Sequence, residues 1–267
     1  MNDTSRLTFL GHGIERFSTV LVTVVGCGGG GSHLVQQLAH IGIGTVAILD
    51  EDSVENSNVN RLVCSNYGDV GKPKVEVLAH RLNGLAGRVV PVPCRVQSPE
   101  GRAWIERSDV VIGAVDGMRT RDYIERACRA ALVPYIDIGL TIVMAEKGSV
   151  GGIGGQVFIS VPAGPCMWCA GILTNDELAG DHEEYVAGAP EQQVISMNGI
   201  LASQAINAAL WLLTRFAPAF PPPAHIVYDG LEHELRRNDY LPKSCSHYPV
   251  ESAGWSVVLP PRRVVRP

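Results

Sequence analysis

The stretch that most restricts this chain is residues 19–25, TVLVTVV, running straight into residues 26–32, GCGGGGS. A continuous β-branched apolar run is the pattern of a strand buried on both faces, as in a parallel sheet. Helical periodicity continues through Leu34, Val35, Leu38 and Ala39, so the segment reads as strand, tight turn and helix. Gly26, Gly28 and Gly31 stand in GxGxxG register. Glycine there lets the backbone approach phosphate oxygens, and the free N–H groups of a helix start favour an anion. By itself the motif also fits a tight turn with no ligand, or a dinucleotide enzyme.

The rest of the first half repeats the alternation. Apolar runs at 45–49, 89–92, 110–114 and 134–138 read as further strands, and 32–41, 72–85 and 120–132 read as helices. Alternating strands and helices imply a Rossmann-like, doubly wound, mostly parallel sheet. After about residue 140 the character changes. Residues 148–165 are rich in glycine and short β segments, 173–193 are polar and acidic, 194–214 return to an apolar helix, and 224–228 suggest another strand. A long polar loop inside an enzyme-sized domain is usually functional. The expected division is a helical lead-in at 1–18, a nucleotide-binding half at 19–140, a second half at 141–240, and a Pro-rich tail at 241–267.

Composition narrows the function classes. With 22 basic and 27 acidic residues the net charge is −5, and no long basic run marks a nucleic-acid surface. The short basic tail at Arg262, Arg263 and Arg266 reads as a solvated end. No stretch is long and apolar enough to span a bilayer, and residues 1–18 do not have the layout of a signal peptide. Seven cysteines, an odd count, argue against a disulfide framework. These features lead us to expect a cytoplasmic protein with thiols free for other uses.

The segment after the second strand decides between nucleotides. Asp50 closes that strand, where a carboxylate can hold ribose hydroxyls. Then come LDEDSVENSNVNR (residues 49–61) and GKPK (residues 71–74). A hydride-transfer enzyme has no need of Arg61 and Lys74 after the ribose carboxylate, whereas an enzyme handling a triphosphate does. Both can neutralise charge as pyrophosphate leaves. Asn58 and Asn60 can hydrogen-bond phosphate or Mg²⁺-bound water. Asp116 closes the VVIGAVD strand (residues 110–116), and its carboxylate suits Mg²⁺, which prefers oxygen ligands.

This ordered set resembles the ThiF/MoeB/HesA family, the adenylation domain shared with ubiquitin-activating enzymes. The family pattern runs GxGGxGS, LxDxDxVxxSNLNRQ, GxPK, TDNxxxR and PxxxCxxC. The matching segments here are GCGGGGS, LDEDSVENSNVNR, GKPK, VDGMRTR and PAGPCMWC. The resemblance spans roughly residues 5–215, with Gly117 standing where the family has Asn. It implies ATP as cosubstrate, with Gly26, Gly28 and Gly31 at the phosphates and Asp50 and Asp52 in the nucleotide site. It places Asn58, Arg61 and Lys74 against phosphates, Asp116 on Mg²⁺ and Arg121 at the end of the TDNxxxR segment. Arg6 is similar to an N-terminal arginine that reaches a partner's ATP site in family homodimers. The implied reaction is attack of a carboxylate on the α-phosphate. The usual carboxylate is the C-terminal glycine of a ubiquitin-like or sulfur-carrier protein, threading under a crossover loop at about 173–196. That loop contains no cysteine for a thioester, and Ser196 is a candidate for an oxyester instead. A ubiquitin-conjugating-like protein is a further expected partner. Alternatives are a tRNA threonylcarbamoyl-adenosine dehydratase, against which net acidity and the cysteine pattern count, and a scaffold of the same fold.

Cys166 and Cys169 form one CxxC, but a zinc site usually has two such pairs. The second is replaced by Cys245-Ser246-His247. A Cys₃His zinc site from Cys166, Cys169, Cys245 and His247 is chemically sound and would staple the tail to the domain. Buried thiols and a redox pair are the alternatives.

Overall fold

The structure is a computed structural model that describes residues 5–85, 87–145, 148–180 and 192–248. Eight strands form one sheet in the order β3-β2-β1-β4-β5-β6-β7-β8. Strands β1 (Leu21–Val25), β2 (Thr45–Leu49), β3 (Arg88–Val92), β4 (Val110–Gly113) and β5 (Tyr135–Met144) pair in parallel. Strands β6 (Val150–Ser160), β7 (His225–Asp229) and β8 (Glu234–Arg237) extend the sheet as an antiparallel meander. The sheet is therefore Rossmann-like with a glycine-rich β extension, as expected. Strand β5 crosses residue 140, so the sheet runs unbroken through that point.

The doubly wound pattern is visible in how each parallel strand divides its side chains. Val22 and Val24 of β1, Val46 and Ile48 of β2, and Ile136 and Ile138 of β5 bury into one core with α1 (Gly29–Ile41), α2 (Lys74–Leu82) and α5 (Ile195–Thr214). Val25, Ala47, Leu49, Val111 and Tyr135 point into a second core with α3 (Pro99–Arg107) and α4 (Met118–Ala130). Strands covered on both faces have no polar side to show, which is why their sequence is continuously apolar.

Several local expectations shift. The lead-in is a 3₁₀ segment, Ser5–Thr19, interrupted at Gly11 where φ is 68°. The second helix starts at Lys74, because Pro73 is its N-cap. Helix α3 has no counterpart among the expected elements: it buries only Gly101 and Ile105, so apolar periodicity is weak. Its readable signal is Ser98, whose side chain accepts from Gly101 N at 3.0 Å, with Pro99 next at the first turn. Part of the expected loop is ordered, with 175–180 helical and α5 starting at Ile195. Its centre, 181–191, and the basic tail lie outside the described residues. Among the described residues, no helix is long and apolar enough to cross a membrane.

His225 on β7 gives a pH prediction. It is buried against Phe158, its Nδ1 lies 3.1 Å from Asn238 Nδ2, and its Nε2 has no hydrogen-bond partner among the described residues. Burial lowers its pKa, and burial likewise lowers that of His33. A histidine whose folded pKa lies below the unfolded value of about 6.5 leaves stability intact above that pH and removes it as pH falls through it. Substituting His225→Phe should raise stability by about 1 kcal/mol at pH 7.5, the cost of one buried unpaired donor. The gain should widen toward pH 5.5 in paired thermal melts of variant and parent. Equal melts across that range would show that the orphaned nitrogen carries no cost.

Candidate nucleotide cleft and metal cluster

The glycine turn is built by close approach. Gly26 has φ of 87°, and a Cβ there would overlap Ala114 O. Gly26 N donates to Leu49 O at 2.8 Å, and Cys27 N donates to Asp50 Oδ2 at 2.6 Å. The end of β1 is thereby tied to the end of β2. Gly28 is the N-cap of α1 and supplies no side-chain cap. The first helical bond runs from Ser32 N to Gly28 O at 3.0 Å. The N–H groups of Gly29, Gly30 and Gly31 are the orphan donors of a helix start, carrying its partial positive charge.

Gly29 and Gly30 border a cleft of about 260 Å³ at the carboxyl ends of the parallel strands, the usual ligand position in open α/β sheets. Gly26, Gly28, Asp50, Asp52, Asn58, Arg61, Lys74, Asp116 and Arg121 all line it. They come from turns after β1, β2 and β4 and from the starts of α2 and α4. Val25, Leu49, Val96, Ile138, Leu140 and Leu201 supply apolar wall. Four helix starts contribute to its lining: Gly29 and Gly30 of α1, Lys74 of α2, Thr120 and Arg121 of α4, and Asn198 of α5, and none of the four helices has a side-chain N-cap bond. Converging helix N-termini favour a polyanion.

The charged groups are held in a defined pattern. Asp50 Oδ1 accepts from Asp52 N at 2.8 Å while Oδ2 takes Cys27 N. Burial raises its pKa, against the opposing pull of Lys74. Lys74 Nζ contacts Asp52 Oδ2 at 2.8 Å. Burial works against its charge, but Asp50 and Asp52 together outweigh that and raise its pKa, so Lys74 is a cation. Asn58 is buried, and its Oδ1 accepts from Glu55 N at 2.9 Å. Arg61 Nη1 donates to Ser57 O at 2.7 Å, which leans the guanidinium along its own turn. Arg121 is nearly buried. It donates to Val115 O at 2.9 Å and pairs with Asp137 at 2.8 Å, so it braces the wall beside Asp116. Asp116 is exposed to the cleft.

Two expected site residues stand apart. Gly31 does not line the cleft: a Cβ there would overlap Gly26 O, so packing of α1 against the turn accounts for the glycine. Arg6 is exposed in the 3₁₀ segment, away from this cleft. Ser196, the oxyester candidate, lies in the first turn of α5, exposed and outside the lining. Of the cysteines outside the CxxC and the tail, Cys27 and Cys128 are buried with raised pKa, whereas Cys94 reaches the cleft wall.

The sequence reading missed Arg95, Gln97, Thr120, Gln193 and Asn198, which also line the cleft. Arg95 and Gln97 come after β3, where only their position beyond a strand end marks them. Asn198 carried a signal, being a polar residue in an apolar helix. It is 6% exposed, its Nδ2 donates to Val194 O at 3.1 Å, and a Cβ on Gly29 would come within 2.6 Å of that nitrogen. Asn198 therefore packs directly on the glycine turn.

The second constellation lies alongside α4, against Asp122 and Glu125. Cys166, Cys169, Cys245 and His247 bring their ligand atoms within 4.8 Å of one another. Cys166 Sγ and Cys169 Sγ are 3.5 Å apart, Cys169 and Cys245 3.8 Å, and His247 Nδ1 lies 3.4 Å from Cys169 Sγ. A tetrahedral Zn²⁺ with bonds of about 2.3 Å spaces its sulfurs about 3.8 Å apart, so the donor set fits such an ion. Tyr248 N lies 3.3 Å from Cys245 Sγ and Cys169 N lies 3.4 Å from Cys166 Sγ, both in positions to support thiolates.

The ThiF family model matches residues 5–247. The SAMP-activating enzyme E1 of Haloferax volcanii is 35% identical over 160 residues, covering 59% of this chain and 56% of that protein. The molybdopterin-synthase adenylyltransferase of Salmonella typhimurium is 29% identical over 228 residues, covering 84% of this chain and 85% of that protein. Across three further curated adenylyltransferases the match spans 44–61% of their length. Among solved structures, E. coli MccB superposes with a TM-score of 0.71 at 20% identity, over 91% of this chain and 74% of that one. With the family model covering nearly the whole described chain, this protein belongs to the ThiF family.

Proposed function

We propose that this protein is an ATP-dependent adenylyltransferase that activates the C-terminal glycine carboxylate of a ubiquitin-like or sulfur-carrier protein. The observation that carries the reading is that one cleft gathers the glycine turn, Asp50, Arg61, Lys74 and Asp116 at the starts of four helices. A hydride-transfer site has no use for this concentration of phosphate-directed charge.

In this reading the N–H groups after Gly28 hold phosphate oxygens and Asp50 faces the ribose. Asp52 holds Lys74 in place, and Asn58, Arg61 and Lys74 neutralise the triphosphate. A carboxylate oxygen of the carrier attacks the α-phosphorus. The bond between that phosphorus and the oxygen bridging to the β-phosphate breaks, and the electron pair leaves with pyrophosphate. Developing charge on the leaving group is met by Lys74 and Arg61, so positioning and electrostatics supply most of the acceleration. Asp116 supplies the oxygen ligand that suits Mg²⁺, and the ion, when bound, offsets phosphate charge. Arg121 acts from behind, fixing the Val115–Asp116 turn. Zn²⁺ in the Cys₃His cluster is structural. Arg6 belongs to a partner's cleft in a homodimer, and a ubiquitin-conjugating-like protein is the expected acceptor.

Carrier-dependent exchange of labelled pyrophosphate into ATP tests the reading. The assay needs Mg²⁺ and a panel of small proteins ending in glycine. Exchange with one of them supports the proposal. Exchange dependent instead on tRNA would move the assignment to a dehydratase acting on an RNA carboxylate. Tight ATP binding without exchange under any condition would leave a scaffold.

A further inference from the structure

Helix α4 carries Arg121, Glu125 and Arg129 at i, i+4 and i+8, hence on one face. Their side chains are 7%, 0% and 7% exposed. Three buried charges in a row are costly unless each is fully paired, and the partners reveal what the row does. At the cleft end, Arg121 holds Val115 O and Asp137. One turn on, both carboxylate oxygens of Glu125 accept from Met167 N, at 3.1 and 3.2 Å. Met167 sits between the two cysteines of the CxxC. At the far end, Arg129 donates to Ser160 Oγ at 3.0 Å, Gly164 O at 3.1 Å and Pro165 O at 2.6 Å. Its guanidinium lies 5.2 Å from the Tyr248 ring centre. Neighbouring Asp122 accepts from Trp168 Nε1 at 3.2 Å and Tyr248 OH at 3.4 Å.

Both halves of the Cys/His cluster are therefore fastened to α4: residues 164–168 through Glu125, Arg129 and Asp122, and the 245–248 segment through Tyr248. The same helix starts at the cleft, where Thr120 and Arg121 line the wall and Gly117 comes directly after Asp116. Arg121 and Arg129 are separated by about 12 Å along the helix axis. Loosening residues 164–168 takes Met167 N from Glu125 and the Gly164 and Pro165 carbonyls from Arg129, leaving the two charges with only their own 3.5 Å pair and the Ser160 contact. Buried charges that lose part of their pairing draw in water, and α4 shifts to admit it, taking its first turn with it.

We propose that α4 couples metal occupancy of the Cys166/Cys169/Cys245/His247 cluster to nucleotide affinity of the cleft, with Glu125 and Arg129 as the positioning residues. This rests on the reading that the cleft binds ATP and the cluster binds zinc. Coupling between two binding sites is reciprocal: if zinc tightens ATP, ATP tightens zinc by the same factor.

The test uses the full chain, with zinc content measured in every sample. ATP affinity in the presence of Mg²⁺ is read by calorimetry on zinc-loaded and zinc-stripped protein. Zinc affinity is read by competition with a chromophoric, zinc-selective chelator, with and without ATP. We expect zinc removal to weaken ATP binding about fivefold, and ATP to tighten zinc by a matching factor, at the low end of typical coupling. Glu125→Gln and Arg129→Met should keep stoichiometric zinc yet lose about threefold in ATP affinity, with the zinc dependence reduced. Should stripped protein unfold by circular dichroism, the zinc-loaded variants decide. Equal ATP affinity with and without zinc overturns the proposal, as does parental ATP affinity in both zinc-loaded variants. Failure of zinc-loaded parent to bind ATP would instead strike the nucleotide reading, and failure to take up zinc the metal reading. Either removes the proposal through its premise.

Discussion

Replacing Asp116 with Asn should lower carrier-dependent pyrophosphate exchange by roughly 100-fold or more, the range expected when a charge aimed at a transition state is removed. The fold should not notice. Asp116 is exposed at the end of β4, outside both cores. Its loss forfeits only a favourable place before the α4 N-terminus, worth a few tenths of a kcal/mol. Unchanged melting with collapsed exchange is thus the expected pair of results, and KM for the carrier should stay near the parent value. Lys74→Met makes the contrast. Lys74 is nearly buried, pairs with Asp52 and faces Asp50. Removing it leaves two carboxylates without their cation, so activity and stability should fall together. Parental exchange in Asp116→Asn would show that this carboxylate takes no part in the chemistry.

The second large effect concerns the metal cluster. Cys169→Ser should abolish stoichiometric zinc and lower the melting temperature by about 10 °C. That corresponds to roughly 3–5 kcal/mol in a domain of this size, less than the full binding free energy of small zinc peptides, which have no other core. The reason lies in what else holds the tail. Residues 238–248 form no strand or helix, and Tyr240 is 98% exposed. Besides Cys245 and His247, its attachments include Asn238 to His225 at its start, Leu241 at the edge of the second core, Tyr248 OH to Asp122, and Arg129 over the Tyr248 ring. Without the ion these cannot offset the chain entropy of the segment. Limited proteolysis should therefore cut the variant within 238–248 while the parent resists. A variant that melts like the parent and keeps its tail would make the cluster a set of buried thiols.

Much of the fold is legible in the sequence because burial on both faces leaves an unmistakable pattern. The TVAIL strand reads with its observed ends, and the glycine turn with its helix within three residues. The cleft residues that share motifs with Asp50 and Asp116 are readable for the same reason: strand ends announce themselves. Structure fixed by neighbours does not show in this way. Strand β8 is fully exposed and exists by pairing with β7, so neither alternation nor hydrophobicity marks it. Arg95, Gln97 and Gln193 reach the cleft because β3 and α5 end and begin there, a matter of topology that no local pattern carries. Gly31 shows a demand that the motif does not spell out: its place in GxGxxG suggests phosphate contact, and close packing of α1 on Gly26 O requires a glycine there as well.

The central claim is that this cleft joins an adenylyl group to a carrier's terminal carboxylate. Intact-mass measurement of a glycine-ended carrier, incubated with the protein, ATP and Mg²⁺ and quenched quickly, tests it most directly. The account predicts a carrier heavier by one adenylyl group, with the added mass lost on hydroxylamine treatment and never formed by Asp116→Asn protein. A carrier panel that stays unmodified, while the protein binds ATP and retains its zinc, would contradict it.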